Sequence, residues 1–175
     1  LLDGEAIEWV MEFKIDGVAA SVRYEQGRMV LALTRGSGVV GDDITHNIRT
    51  VADIPLRLLG DDLPTVLEVR GEVYLRISEF EKLNKKAEQL GEKTYVNPRN
   101  AAAGSIRQKN SAVAAQRNLS FWAYQIGRIS GGPALESHFG TLEYLSLLGF
   151  PVNQNSQRVT TGKEGLIVRV SSGKE

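Results

Sequence analysis

Residues 65–75, TVLEVRGEVYL, alternate polar and apolar side chains. A period of two commits such a run to a β-strand with two unlike faces. Glu68, Arg70 and Glu72 share one of those faces. Gly71 interrupts the run and marks a bulge or a close approach of another backbone. Glu72, next to it, has two readings. It forms a plain salt bridge with Arg70, or its carboxylate sits where a backbone or a ligand comes close.

Neighbours for this strand lie in the first third of the chain. Residues 8–15 (EWVMEFKI) and 18–24 (VAASVRY) are strand-like runs, 25–28 (EQGR) has turn composition, and 29–34 (MVLALT) returns as a third strand. An antiparallel meander is the economical arrangement. A loop with three glycines follows at 35–43, where Asp42 or Asp43 is placed to cap a short helix carrying Ile44, Ile48 and Val51. The spacing of Phe80, Leu83, Ala87 and Leu90 predicts a helix over about 77–90. Asn97-Pro98 reads as a cap with proline in the first turn of the next helix. Residues 119–127 form another strand, 135–148 a helix ending at Gly149, and 165–170 a last strand. This order predicts an α+β fold with mainly antiparallel sheets.

The 175 residues are 42% hydrophobic, enough for one domain with a real core. The absence of cysteine excludes disulfides, thiolate zinc sites and cysteine nucleophiles. Two histidines, His46 and His138, are too few for a histidine-rich metal site. No apolar run approaches the ~20 residues of a membrane span, and the acidic, amphipathic first residues do not read as a signal peptide. A start at Leu1 rather than methionine leads us to expect a fragment. Lysine plus arginine (21) balance aspartate plus glutamate (21), so bulk charge does not point to nucleic acid. That zero conceals segregation: residues 1–25 hold six acids and two bases, residues 93–128 six bases and no acid.

The sharpest local feature is the hexapeptide Glu12-Phe13-Lys14-Ile15-Asp16-Gly17. In a strand, Glu12, Lys14 and Asp16 would project to one face. They form either a surface ion-pair ladder or a nucleophilic lysine beside groups that position its target. A nucleophilic lysine must shed its proton. Two carboxylates alone work against that, so a cation, a metal or desolvation has to contribute. Arg35 lies in the glycine-rich loop, where backbone can approach a ligand closely. In 97–107, NPRNAAAGSIR, small residues allow a helix to lie against neighbouring backbone, and Arg99 and Arg107 make an anion site there or pair with acids elsewhere. Trp122 and Tyr124 share one strand face with Phe121 on the other, a pattern that core packing explains and that base stacking would also use.

Taken in order, these segments resemble the adenylation (nucleotidyltransferase) domain of the bacterial NAD-dependent DNA ligases. KIDG at 14–17 is similar to the family's nucleotidyl-lysine motif, and TRGSGVVGDDIT at 34–45 to its TRGDGxxGEDVT segment. LEVRGEVYL at 67–75, NPRNAAAGSIRQ at 97–108, FWAYQIG at 121–127 and LLGFPV at 147–152 match further blocks. The resemblance covers roughly residues 8–160. KxDG alone is shared with ATP-dependent ligases and capping enzymes, whereas NPRNAAAGSIRQ is characteristic of the NAD-dependent branch. The resemblance implies a nucleotidyltransferase (ATP-grasp-like ligase) fold, antiparallel sheets flanked by helices.

It also implies roles. Lys14 would attack the α-phosphorus of the adenylyl half of NAD, expel nicotinamide mononucleotide and become lysyl-AMP. Glu12 would receive the adenine amino group, Asp16 would position lysine and ribose, and Gly17 would lie beside them in the nucleotide site. Arg35 and Glu72 would hold the ribose, and Tyr124 would stack on adenine. Arg99 and Arg107 would meet phosphates, including the 5′-phosphate of nicked duplex DNA. The adenylyl group would pass to that phosphate before the 3′-hydroxyl displaces AMP, a reaction of DNA replication and repair. Mg2+ would assist through the phosphates, with no metal ligand assigned to the chain. A monomer in the bacterial cytosol with no membrane contact is the expected setting.

Departures from the family pattern are specific. Ser37 stands where the family usually has aspartate, and Arg169, in EGLIVR at 164–169, where it has a nucleotide-contacting lysine. The connection between Pro151 and Glu164 is short, which implies residues missing within 153–164 or a true deletion. The final lysine motif and the module that binds nicotinamide mononucleotide are not found, so 1–175 is expected to be an incomplete adenylation domain. An ATP-dependent ligase or capping-type nucleotidyltransferase, and a nucleotide-binding module without catalysis, are the alternatives.

Overall fold

The computed structural model describes residues 8–36 and 40–160. Its elements are β1 (Glu8–Met11), β2 (Val18–Glu25), β3 (Arg28–Thr34), α1 (Thr45–Ile48), β4 (Val66–Tyr74), α2 (Ile77–Gln89), α3 (Pro98–Ile106), α4 (Ser111–Ala115), β5 (Ser120–Ser130), α5 (His138–Leu147) and β6 (Gln157–Thr160). Four strands form one sheet in the order β3-β2-β4-β5, every neighbour antiparallel. β1 and β6 pair with each other in a second, two-stranded antiparallel sheet. The mixed architecture with antiparallel sheets is as the sequence predicts. The predicted strand at 165–170, and Ser37 and Arg169, lie outside the described residues.

Alternation gives the four-stranded sheet its two faces. Val22 and Tyr24 on β2, Leu67, Val69 and Val73 on β4, and Phe121 on β5 are completely buried. Ile48 of α1, Ala101, Ala102 and Ile106 of α3 and Leu145 of α5 close over them as one core. The Tyr24 hydroxyl donates to the Pro55 carbonyl at 2.7 Å, which satisfies it in the core. Gly71 justifies both of its readings at once. The β4–β5 register shifts between Arg70 and Gly71, and an added Cβ there would overlap the Phe121 ring and the Trp122 carbonyl.

Three expectations need correction. β1 ends at Met11, so residues 12–16 are not a strand and the predicted three-stranded meander loses its first member. The chain has to cross there from the small sheet to β2, and β1 takes β6 as its partner. α1 is not capped by an aspartate, since its N-cap is Ile44 without a side-chain cap bond. Asp43 instead accepts from both the amide and the hydroxyl of Thr45, at 2.9 and 2.6 Å. Leu90 is 61% exposed rather than part of a buried stripe, because it is the C-cap of α2, beyond the last residue packed on the core.

Candidate active site

A cleft of about 720 Å³ opens on the polar face of the four-stranded sheet. Lys14, Glu12 and Gly17 reach it from the segment between β1 and β2, and Arg35 from the end of β3. Glu72 and Tyr124 reach it from β4 and β5, and Arg99 and Arg107 from α3. Every predicted site residue among those described thus converges on this one region except Asp16, which adjoins it through Arg99.

Gly17 shows why the motif needs glycine. An added Cβ would overlap the Val73 carbonyl of β4, so only glycine lets the lysine segment lie this close to the sheet. Burial raises the Glu72 carboxyl above its ordinary range, and Asp16 adds to that rise. The Arg99 guanidinium, the Gly17 amide and the Lys14 ammonium pull in the other direction. Glu72 does not pair with Arg70; Arg70 leans to Glu68 at 3.7 Å. That outcome favours the second of its two sequence readings. Burial likewise raises the Tyr124 hydroxyl, with Glu72 adding to the effect and Arg35 and Arg70 opposing it.

The ion-pair ladder expected around Lys14 does not form. Glu12 Oε2 lies 2.7 Å from His138 Nε2, and Asp16 Oδ1 lies 3.6 Å from Arg99 Nη1. Among the described residues Lys14 has no ion-pair partner. The irregular backbone of 12–16 turns the two acids toward His138 and Arg99 and leaves an exposed lysine at the cleft. Once it has given up a proton to solvent, the Lys14 amine is available to an electrophile brought from solution.

α3 is built to hold its arginines in place. The Asn97 side chain caps its first turn by accepting from the Asn100 amide at 2.8 Å. At the other end Asn47 of α1 donates to the carbonyls of Ile106 and Gln108, at 2.7 and 2.8 Å. These bonds satisfy acceptors that a helix end leaves open. Ala101 and Ala102 are completely buried, so the helix lies tight against β2 and β4. Arg107 Nε meets Asp42 Oδ2 at 2.9 Å, and the Arg107 bond holds the Asp42 carboxyl below its usual range. Both arginines therefore pair with acids, as the plainer sequence reading had it. Both pairs stand at the cleft and stay open to solvent, with Arg99 60% and Arg107 44% exposed.

Among the other cleft residues, His138 has no role in the sequence reading, and Trp122 is weighed there for base stacking. His138 sits at the start of α5 and Trp122 on β5, its ring 5.7 Å from Tyr74. His138 carries no local motif, and its partner Glu12 is 126 positions away. For magnesium, one or two carboxylates plus substrate phosphates are the usual ligands. No group of three His, Asp or Glu side chains suited to a metal occurs among the described residues. Glu12 and Asp16 are engaged with His138 and Arg99. These residues make no protein-only magnesium site, and no step below runs through the ion. No helix among the described residues is long and apolar enough to cross a membrane.

Comparison with known proteins gives the family. A family model for the NAD-dependent DNA ligase adenylation domain matches residues 2–171. A DNA ligase of Stenotrophomonas maltophilia (strain R551-3) is 49% identical over 166 residues, 95% of this chain and 20% of the relative. A DNA ligase of strain K279a is 48% identical over the same shares. The chain thus spans about a fifth of the length of the curated relatives it matches. With nearly all of its length inside the family match, the chain belongs to the NAD-dependent DNA ligase adenylation domain family.

Proposed function

We propose that this chain carries the nucleotide-charging step of an NAD-dependent DNA ligase and that Lys14 is its nucleophile. Lys14 Nζ loses a proton and bonds to the α-phosphorus of NAD's adenylyl half. The bond to nicotinamide mononucleotide breaks, leaving lysyl-AMP. The 5′-phosphate of a nick then takes the adenylyl group and returns the lysine. Finally, the 3′-hydroxyl attacks that activated phosphate, and AMP departs as the nick closes. One observation carries the reading: Lys14, with no ion-pair partner among the described residues, faces a cleft that also presents Glu72, Arg35, Tyr124, Arg99 of α3 and Arg107 at the C-cap of that helix.

Each neighbour has a role that suits its chemistry. Tyr124 offers a half-buried ring for the base. Glu12 accepts from its amino group. Glu72 and Arg35 hold the ribose, and Asp16 steadies Arg99 and the sugar. Arg99 and Arg107 meet phosphates, exchanging a weak exposed carboxylate pair for a charge-assisted one. Arg169 is assigned to the nucleotide by resemblance alone. Magnesium, when present, neutralises phosphate charge. Residues 1–175 are read as one adenylation-domain unit.

The deciding experiment grafts residues 1–175 into a Stenotrophomonas relative in place of its matching segment and follows the product by mass spectrometry. NAD is expected to leave an AMP adduct on Lys14, ATP none, and Lys14→Ala neither. An adduct from ATP, or from NAD on another residue, overturns the reading.

A further inference from the structure

Glu12 is gripped at both oxygens by residues far away in sequence. Oε2 lies 2.7 Å from His138 Nε2, and Oε1 accepts from the Ser156 hydroxyl at 3.2 Å. An ionised carboxylate only accepts, so His138 donates from Nε2 in this contact. We propose that His138 and Ser156 are positioning residues that fix the Glu12 carboxylate as a reader of the base's exocyclic amino group, and so set a preference for adenine over hypoxanthine. The proposal rests on the reading of Glu12 given above.

The geometry supports this in three ways. A carboxylate offers about four acceptor directions, and His138 and Ser156 use two of them. The remaining directions suit an amino group, which donates, and reject a keto oxygen, which does not. The two holders are themselves anchored, whereas Glu12 lies on irregular backbone. His138 follows the N-cap Ser137, whose hydroxyl accepts from the Gly140 amide at 3.0 Å. Ser156 closes a turn on the Asn153 carbonyl at 3.1 Å, and the Asn153 side chain accepts from the Asn155 amide at 3.0 Å. That turn follows Pro151, whose carbonyl accepts from the amide of Ala123, next to Tyr124, at 2.9 Å. The ring offered to the base and the group that orders its reader thus hang from the same strand, β5. A long, exposed glutamate would otherwise lose side-chain freedom on binding, and pre-ordering removes that cost from the ligand's side.

The test is calorimetric titration of the 175-residue chain with AMP and with IMP, which carries a keto oxygen in place of the amino group. Wild type is expected to prefer AMP. His138→Ala is expected to weaken AMP about tenfold, as loss of a hydrogen bond to a charged group does, and to change IMP less than about twofold. His138→Gln keeps a donor near the Nε2 position and is expected to restore most of the AMP affinity. Glu12→Ala should abolish the preference, and adding His138→Ala to it should change nothing further. His138→Phe keeps the ring shape without a donor and serves in place of the alanine variant if that fails to fold, as judged by circular dichroism.

Equal weakening of AMP and IMP by His138→Ala would show a general structural role and overturn the proposal. A further loss in the Glu12→Ala background would do the same by showing that His138 acts on the ligand without Glu12. If Glu12→Ala sheds the preference while His138→Ala keeps it, only the positioning role falls. If Glu12→Ala keeps the preference, the reading of Glu12 itself falls.

Discussion

The two faces of the β3-β2-β4-β5 sheet use alternate residues of the same strands for opposite ends. On β4, Leu67, Val69 and Val73 are completely buried, while Glu68, Arg70 and Glu72 face the other way beside the cleft region. On β5, Phe121 is in the core and Trp122 and Tyr124 are in the cleft. The inner face has few polar atoms: the Tyr24 hydroxyl is satisfied by Pro55, while Ser105 Oγ of α3 is buried without a hydrogen-bond partner. The outer face gathers charges that are only partly paired and partly open. One face therefore sets stability and the other sets chemistry, with a single backbone transmitting position between them. Substitutions that keep to one face should separate the two properties.

The largest effect is expected from Phe121→Ala. Removing a completely buried ring costs about 3–5 kcal/mol, or a fall in melting temperature of roughly 10 °C for a domain of this size. Thermal unfolding followed by circular dichroism measures it. A loss below about 1 kcal/mol would mean that the inner face does not set stability. Asn47→Ala comes next and sharpens the comparison, because the Asn47 side chain ties down the C-terminal end of α3 without lining the cleft. It leaves two carbonyls without their donor, at a cost of about 2 kcal/mol. It should also weaken AMP binding through Arg99 and Arg107. Urea unfolding and AMP titration read the two effects. Lower stability with unchanged binding would show that α3 does not need this tie to place its arginines.

The difference between the faces also explains what was legible in the sequence. Period-two alternation reported β4, strand-like runs reported β2, β3 and β5, and the Asn97-Pro98 signal reported α3, because local chemistry decides those elements. The cleft residues were named by a motif resemblance, and they do converge. Residues 12–15 read as the end of a strand because EFKI has strand composition, while the partners that decide its path, β6 and β4, are distant in the chain. β6 itself, Gln157–Thr160, is too short and too polar to announce a strand. His138 was invisible for the same reason: a contact spanning 126 positions leaves no local trace.

A smaller effect of opposite sign is expected from Glu72→Gln. Burial raises the folded carboxyl above its ordinary value of 4.5. The folded state therefore takes up this proton more readily than the unfolded one. The stability it contributes is full below 4.5 and is lost as pH rises through the folded value, so at neutral pH the charge is a burden. Glutamine keeps the size of the side chain and removes the charge. Its melting temperature at pH 7 should rise by about 1–3 °C, a modest figure because Glu72 is partly solvated. AMP affinity should fall. Loss of stability in Glu72→Gln would place this outer-face residue with the scaffold.

Asp42→Asn should have the smallest effect on stability and bears most directly on where the scaffold ends. The Arg107 bond is the main cause of Asp42's lowered carboxyl, with Thr34 adding to it. A group lowered in this way supports the fold above its unfolded value of 3.8, and that support fades as pH falls through the folded value. Both side chains are well exposed, 62% for Asp42 and 44% for Arg107, so water and salt screen the pair. At pH 7 the variant should melt with wild type to within experimental error. It should nevertheless bind AMP about twofold more tightly at low salt, because Arg107 is freed for phosphate, and the gain should vanish as salt is raised. A fall of several degrees in melting temperature would mean that Arg107 braces α3 against the loop after β3. The division would then run through the helix rather than between the faces of the sheet.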